Sequence, residues 1–188
     1  YHVLNVLQTM NVDNFPMEKY IIRVDSSVEP PQYLTSPICR YTIRGHEFSP
    51  LLNWPSTNFY RLNESQSIAF KAALTQEFSI IQGPPGTGKT FLGLKIAKTL
   101  IENRRLWYAK TPMLVICYTN HALDQFLEGI TEFTGEIVRV GGQSKNEKMK
   151  LFNLKNRSRF KMSAAVYQQR NEVQVMLGQI RSITENLK

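Results

Sequence analysis

The chain has 188 residues, 42% hydrophobic and 20% charged, enough apolar content to bury a core and too much for a disordered polymer. Its two cysteines, Cys39 and Cys117, exclude a disulfide framework and fit a reducing compartment, and no apolar run reaches membrane-spanning length, so a soluble protein is expected. The net charge of +8 is concentrated late: residues 143–188 carry 10 Lys/Arg against 3 Asp/Glu, whereas residues 1–60 carry 4 against 5. Such a basic segment is either a phosphate-binding surface or a solvated helix face. A first residue of Tyr1 rather than methionine points to an excised piece of a longer chain.

Residues 1–60 predict a β-rich lead-in. His2 to Gln8 reads as a strand or a short helix, and Tyr20-Ile21-Ile22-Arg23-Val24 reads as a strand ended by Asp25-Ser26-Ser27. Pro30, Pro31, Pro37, Pro50 and Pro55 confine the rest to loops and short β pieces. Cys39 and His46 cannot by themselves close a tetrahedral metal site.

At Asn63-Glu64-Ser65-Gln66 the pattern becomes helical, with Asn63 as N-cap, Gln66 completing a capping box, and Ile68, Phe70, Ala73 and Leu74 on an apolar face. Two readings of Gln66 stay open: a helix cap, or an amide whose donor and acceptor pair with the edge of an adenine.

Residues 78–82 form a short β-prone run that leads into Gly83-Pro84-Pro85-Gly86-Thr87-Gly88-Lys89-Thr90, a GxxxxGK[ST] phosphate-binding loop. Its glycines let successive backbone N–H groups curl around phosphate oxygens, and the following helix adds unpaired donors and the positive end of its dipole. Lys89 is placed to reach the β- and γ-phosphates of ATP, and the Thr90 hydroxyl to ligate the Mg²⁺ that bridges them. Phe91, Leu94, Ile96, Ala97, Leu100 and Ile101 then repeat at helical spacing, and residues 104–112 read as a polar surface connection.

Residues 113–117 predict a second buried strand, followed by Thr119, an N-capping Asn120, and a helix through Leu123, Phe126, Leu127 and Ile130. Loops at the carboxyl ends of strands in an open α/β sheet bind ligands, so Thr119 and Asn120 can hold a nucleic-acid phosphate. His121 fits the cap region better than a catalytic role. Residues 137–140 predict a third short strand. From 143 a long basic helix is expected, with Val166, Val173, Ile180 and Leu187 recurring every seven residues beside Met162, Met176 and Ile183, a seam that needs a partner helix.

Hydrolysis needs a carboxylate at the end of an apolar strand after the loop. The apolar run that ends in an acid, Tyr20 to Asp25, precedes it, so the expectation is a chain that binds nucleotide better than it hydrolyses it. The residues alone thus predict an α/β P-loop NTPase fold.

The order Leu62-Asn63-Glu64-Ser65-Gln66, then residues 81–90, then Tyr118-Thr119-Asn120-His121-Ala122-Leu123-Asp124, resembles the first half of a superfamily 1 RNA helicase of the nonsense-mediated-decay and senataxin branch. Residues 117–125 look most like the NFX-type zinc-finger-containing helicases. The resemblance covers roughly residues 60–142. It implies a partial RecA-like parallel sheet with flanking helices at 61–142, after the lead-in at 1–60, and a stalk-like helical insertion at 143–188. It implies further that Gln66 reads adenine, that Gly86, Gly88, Lys89 and Thr90 hold phosphates and Mg²⁺, and that Thr119 and Asn120 lie along single-stranded RNA. The parent would be a cytoplasmic, ATP-driven 5′ to 3′ helicase in RNA surveillance, small-RNA silencing or antiviral defence, whose remaining helicase domains act with this part. Against it stands a non-catalytic RNA-binding scaffold with a vestigial loop.

Overall fold

A computed structural model describes residues 2–36, 38–107, 112–142, 144–156 and 175–176. The lead-in is helix and turn rather than β-rich: α1 (His2–Thr9), a 3-10 turn (Val12–Asn14), α2 (Glu18–Ile21), a second 3-10 turn (Gln32–Leu34), and one hairpin of β1 (Tyr41–Ile43) and β2 (His46–Phe48). The run 20–24 is therefore not a strand. Left-handed residues bracket it, Met17 at φ 56° and Val24 at φ 57°, and the Tyr20 ring stacks on Phe78 at 5.3 Å, a tertiary contact that overrides the β-propensity of Ile21 and Ile22.

The chain divides into two units, Tyr1–Met113 and Leu114–Lys188. In the first, α3 (Thr57–Tyr60), α4 (Glu64–Thr75), α5 (Lys89–Glu102) and α6 (Arg104–Trp107) follow the hairpin, so 104–107 is a helical turn and not a loop. Alternation sends Tyr41, Ile43 and Phe48 of the hairpin inward, where they join Leu34, Tyr60, Leu62, Phe70, Leu74 and Leu92 in one core. Trp54 seals it, its ring 5.3 Å from Phe48, 5.7 Å from Tyr60 and 6.1 Å from Phe70. Asn103, fully buried at the end of α5, accepts from the Thr42 N–H at 2.8 Å and donates to the Thr42 carbonyl at 2.9 Å, so a side-chain amide takes the place of a neighbouring strand. These contacts hold α5, and with it the loop at its N-terminus.

The second unit contains α7 (Asn120–Ile130) and α8 (Glu147–Lys150). The segment from 144 onward is not the start of a long helix. It turns back, and its backbone brackets Arg139, which donates to Phe152 O at 2.8 Å and accepts from Leu154 N at 2.9 Å, in a single parallel bridge to Asn153. The expected stalk-like helix over 158–188 and its heptad seam lie outside the described residues, apart from 175–176.

Among the described residues the sheet is the two-stranded antiparallel hairpin, not a parallel one. Residues 78–82 and 113–117 have no regular structure and no ladder partners, and Ile80, Leu114 and Ile116 are 80%, 80% and 82% exposed. A parallel strand is completed only by neighbours distant in sequence, so an apolar run alone does not make one. No described helix is long and apolar enough to cross a membrane.

Candidate nucleotide and nucleic-acid sites

The loop at 83–90 is shaped by its glycines and closed by its lysine. Gly88, at φ 82°, is the N-cap of α5 and brings no side chain to cap it, so the first N–H groups of the helix stay open to an anion. A Cβ on Gly83 would lie 2.8 Å from Thr87 Oγ1, which itself donates to the Pro84 carbonyl at 2.9 Å. Lys89 folds back over the loop, its Nζ donating to the Gly83 and Pro84 carbonyls at 2.6 and 2.7 Å. Pro85, Gly86 and Thr87 are exposed at the rim, as is Thr90, whose hydroxyl has no hydrogen-bond partner among the described residues.

Gln66 completes the cap, and its amide is held at both ends. Asn63 Oδ1 accepts from Gln66 N at 2.8 Å and Gln66 Oε1 accepts from Asn63 N at 3.3 Å, a complete capping box at the start of α4. The other end of the same amide, Nε2, donates to the Thr87 carbonyl at 3.1 Å and therefore lies at the phosphate loop. The fold thus gathers Gln66, Gly83, Pro84, Thr87, Gly88 and Lys89.

Thr119 and Asn120 belong to the second unit. The N-cap of α7 is Thr119 and not Asn120: its backbone is extended (φ −120°, ψ 149°) and its Oγ1 accepts from Ala122 N at 3.1 Å. Asn120 is thereby freed for another role, and its Oδ1 accepts from Arg139 at 3.2 Å. Arg139 is fully buried; it donates through Nε to Asp124 at 2.5 Å and through an Nη to the Gly142 carbonyl at 2.7 Å. Ser144 donates to the other Asp124 oxygen at 2.6 Å. Burial alone would raise the Asp124 carboxyl, but the hydrogen bonds from Ser144 and Arg139 and the Arg139 charge outweigh it and hold the carboxyl below its ordinary value. Asp124, Arg139 and Ser144 were not expected as site residues. The signal was an arginine at the centre of the apolar run Ile137-Val138-Arg139-Val140, since a charge there is buried only with a partner.

The geometry can be set beside known proteins. Residues 61–188 match the family described as AAA domain. The chain is 44% identical to the mouse NFX1-type zinc finger-containing protein 1 over 82% of its own length and 9% of the relative's. It is 33% identical to the fission yeast helicase required for RNAi-mediated heterochromatin assembly 1 over 98% of this chain and 19% of the relative, and 34% identical to the fission yeast ATP-dependent helicase upf1 over 57% and 12%. It thus spans 9–19% of the length of these relatives. No solved structure matches the chain. The match over 61–188 and the superfamily 1 helicases among its relatives place this chain in the AAA domain family of P-loop NTPases, in the branch of the NFX1-type and upf1 helicases.

Proposed function

We propose that this chain is the ATP-binding part of an ATP-dependent RNA helicase, the first portion of a RecA-like domain that works with further helicase domains of a longer protein. The observation that carries the reading is the loop itself: the Lys89 ammonium poised on the Gly83 and Pro84 carbonyls at the open N-terminus of α5, with the Gln66 amide at its edge. In this reading Gly83, Pro84, Pro85, Gly86, Thr87 and Gly88 cradle the phosphates. Lys89 exchanges its two carbonyls for β- and γ-phosphate oxygens, and Gln66 pairs with adenine. The exposed Thr90 hydroxyl is a hard oxygen donor that fits Mg²⁺, which when bound supplies charge neutralisation across the phosphates. Thr119 and Asn120 contact the single-stranded RNA backbone, with Arg139 setting the Asn120 side chain.

The division into a lead-in at 1–60, a nucleotide-binding part at 61–142 and a stalk-like insertion at 143–188 belongs to the same proposal, as does 5′ to 3′ movement. RNA surveillance, small-RNA silencing or antiviral defence in the cytoplasm is the setting we infer. A relative required for RNAi-mediated heterochromatin assembly and others named regulator of nonsense transcripts 1 support the silencing and surveillance readings; the antiviral role and the cytoplasmic setting rest on the family resemblance alone.

The test is a titration of the chain with a fluorescent ATP analogue and Mg²⁺, beside Lys89→Ala. Saturable binding lost in the variant is expected. Equal signals from both proteins, or none from either, would sink the loop reading and favour an RNA-binding scaffold.

A further inference from the structure

The first unit carries a second charged feature, apart from the loop. Helix α5 presents Phe91, Lys95, Lys98 and Glu102 at i, i+4, i+7 and i+11, one continuous stripe leading away from the phosphate loop. Lys95 lies over the Phe91 ring, its Nζ 5.3 Å from the centroid, and 53% of Phe91 remains exposed. Helix α5 packs on β1, and the turn after β1 brings in Arg44, whose guanidinium donates to the Phe59 carbonyl at 3.0 Å; two residues on from Phe59 comes Arg61.

Both arginines hold the left-handed backbone that favours glycine, Arg44 at φ 53° and Arg61 at φ 52°. Arg44 occupies the first central position of a two-residue hairpin turn, with Gly45 at φ 78° beside it, where Asn or Gly is the ordinary choice. Backbone conformation therefore does not select arginine at either place, and the one structural bond, from Arg44 to the Phe59 carbonyl, leaves Arg61 unaccounted for. Lys95 stands where the other three cations are felt: burial first, then the charges of Arg44, Lys98 and Arg61, push its ammonium below its ordinary value. The nearby acids are already engaged, Glu102 with Lys98 at 3.8 Å and Glu47 with Arg105 at 3.7 Å. Among the described residues no carboxylate pairs with Arg44, Arg61 or Lys95. Like charges such as these three, gathered without a paired carboxylate, raise the energy of the free protein and lower that of its complex with a polyanion.

We propose that Arg44, Arg61, Lys95 and Lys98, with the half-open ring of Phe91, form a second site for the backbone of a single-stranded nucleic acid on the hairpin face of α5. Cations tracking phosphates beside an aromatic ring that can stack a base are the chemistry of sequence-tolerant single-strand binding. A protein or lipid polyanion would use the cations and leave the ring idle. This site goes beyond the Thr119 and Asn120 contact and is independent of ATP.

The experiment measures binding of fluorescein-labelled oligouridylate by anisotropy across a salt series, without nucleotide, so that a loop unable to bind ATP leaves the result standing. The chain is compared with Arg44→Gln/Arg61→Gln/Lys95→Gln and with a charge-matched control, Lys145→Gln/Lys148→Gln/Lys150→Gln. Three lost phosphate contacts should flatten the log–log salt slope by about 2. The control should change it less. Phe91→Ala should weaken oligouridylate by roughly tenfold while leaving competition by inorganic tripolyphosphate as it was, which separates nucleic acid from free phosphate. If the triple variant loses its near-ultraviolet circular dichroism, the single variant Lys95→Gln, on the surface of α5, should still flatten the slope by about 0.7. Salt slopes equal to those of the control, or binding to vesicles of phosphatidylserine and phosphatidylcholine that needs these three residues when RNA binding does not, would overturn the proposal.

Discussion

The two candidate sites are built in opposite ways. The phosphate loop is exposed and held by its own backbone: carbonyls of Gly83, Pro84 and Thr87 take the polar ends of Lys89, Thr87 and Gln66, and each bond is local or reaches one helix away. The Thr119 and Asn120 site is backed by a buried ion pair, Arg139 with Asp124, that joins α7 to the 137–144 segment. A site made of glycine conformation announces itself in a short motif. A site backed by a pair fifteen residues apart does not, and it is vulnerable at a residue outside the motif.

That contrast is sharpest at Arg139. Arg139→Met leaves the Asp124 carboxylate buried without its counter-charge, with only the Ser144 hydroxyl still on it, and should cost about 3–5 kcal/mol in the second unit, read by hydrogen exchange of its amides. A loss near zero would erase the difference between the sites. The same pair can be weakened gradually by acid. Asp124 has a folded value below its ordinary 3.8, so its stabilising contribution is complete above that value and disappears as pH falls through the lower folded one. Exchange of the amides around 139–144 should therefore accelerate only below about pH 4, and Asp124→Asn should remove that acid limb.

On the loop side the effects shrink. Gly88→Ala puts a Cβ on a residue at φ 82° and 3.0 Å from Gln66 Nε2, and should cost about 1–2 kcal/mol of global stability while shifting the Gln66 contact. A larger loss than that of Arg139→Met would reverse the comparison. Smallest of all is Tyr60→Phe. The Tyr60 hydroxyl is buried in the first core without a hydrogen-bond partner, so deleting it should leave stability unchanged or raise it by up to about 1 kcal/mol, measured as a shift in the denaturation midpoint.

What was legible in the sequence follows the same division. The capping box of Asn63 and Gln66, the glycine loop and the helices after it depend on contacts within a few residues, and the structure has them where the spacing predicts them. Tyr20 to Val24 misled because its apolar run is finished by Tyr20 against Phe78, far along the chain, and not by a strand. Asn120 misled by one position, since Thr119 and Asn120 are both competent caps and the Asn120 amide is engaged by the distant Arg139. The runs at 78–82 and 113–117 have strand composition without strand pairing, because pairing is a property of two segments and composition of one.

The Asn103 amide bound to both backbone groups of Thr42 gives the loop helix a fixed far end. With 14 residues α5 is a rod of about 21 Å, anchored at the hairpin by Asn103 and packed into the core near its other end through Leu92. A rod held this way acts as a strut: it fixes how far Gly88 and the loop stand from the hairpin, so the height of the phosphate cradle is set by contacts that never touch it.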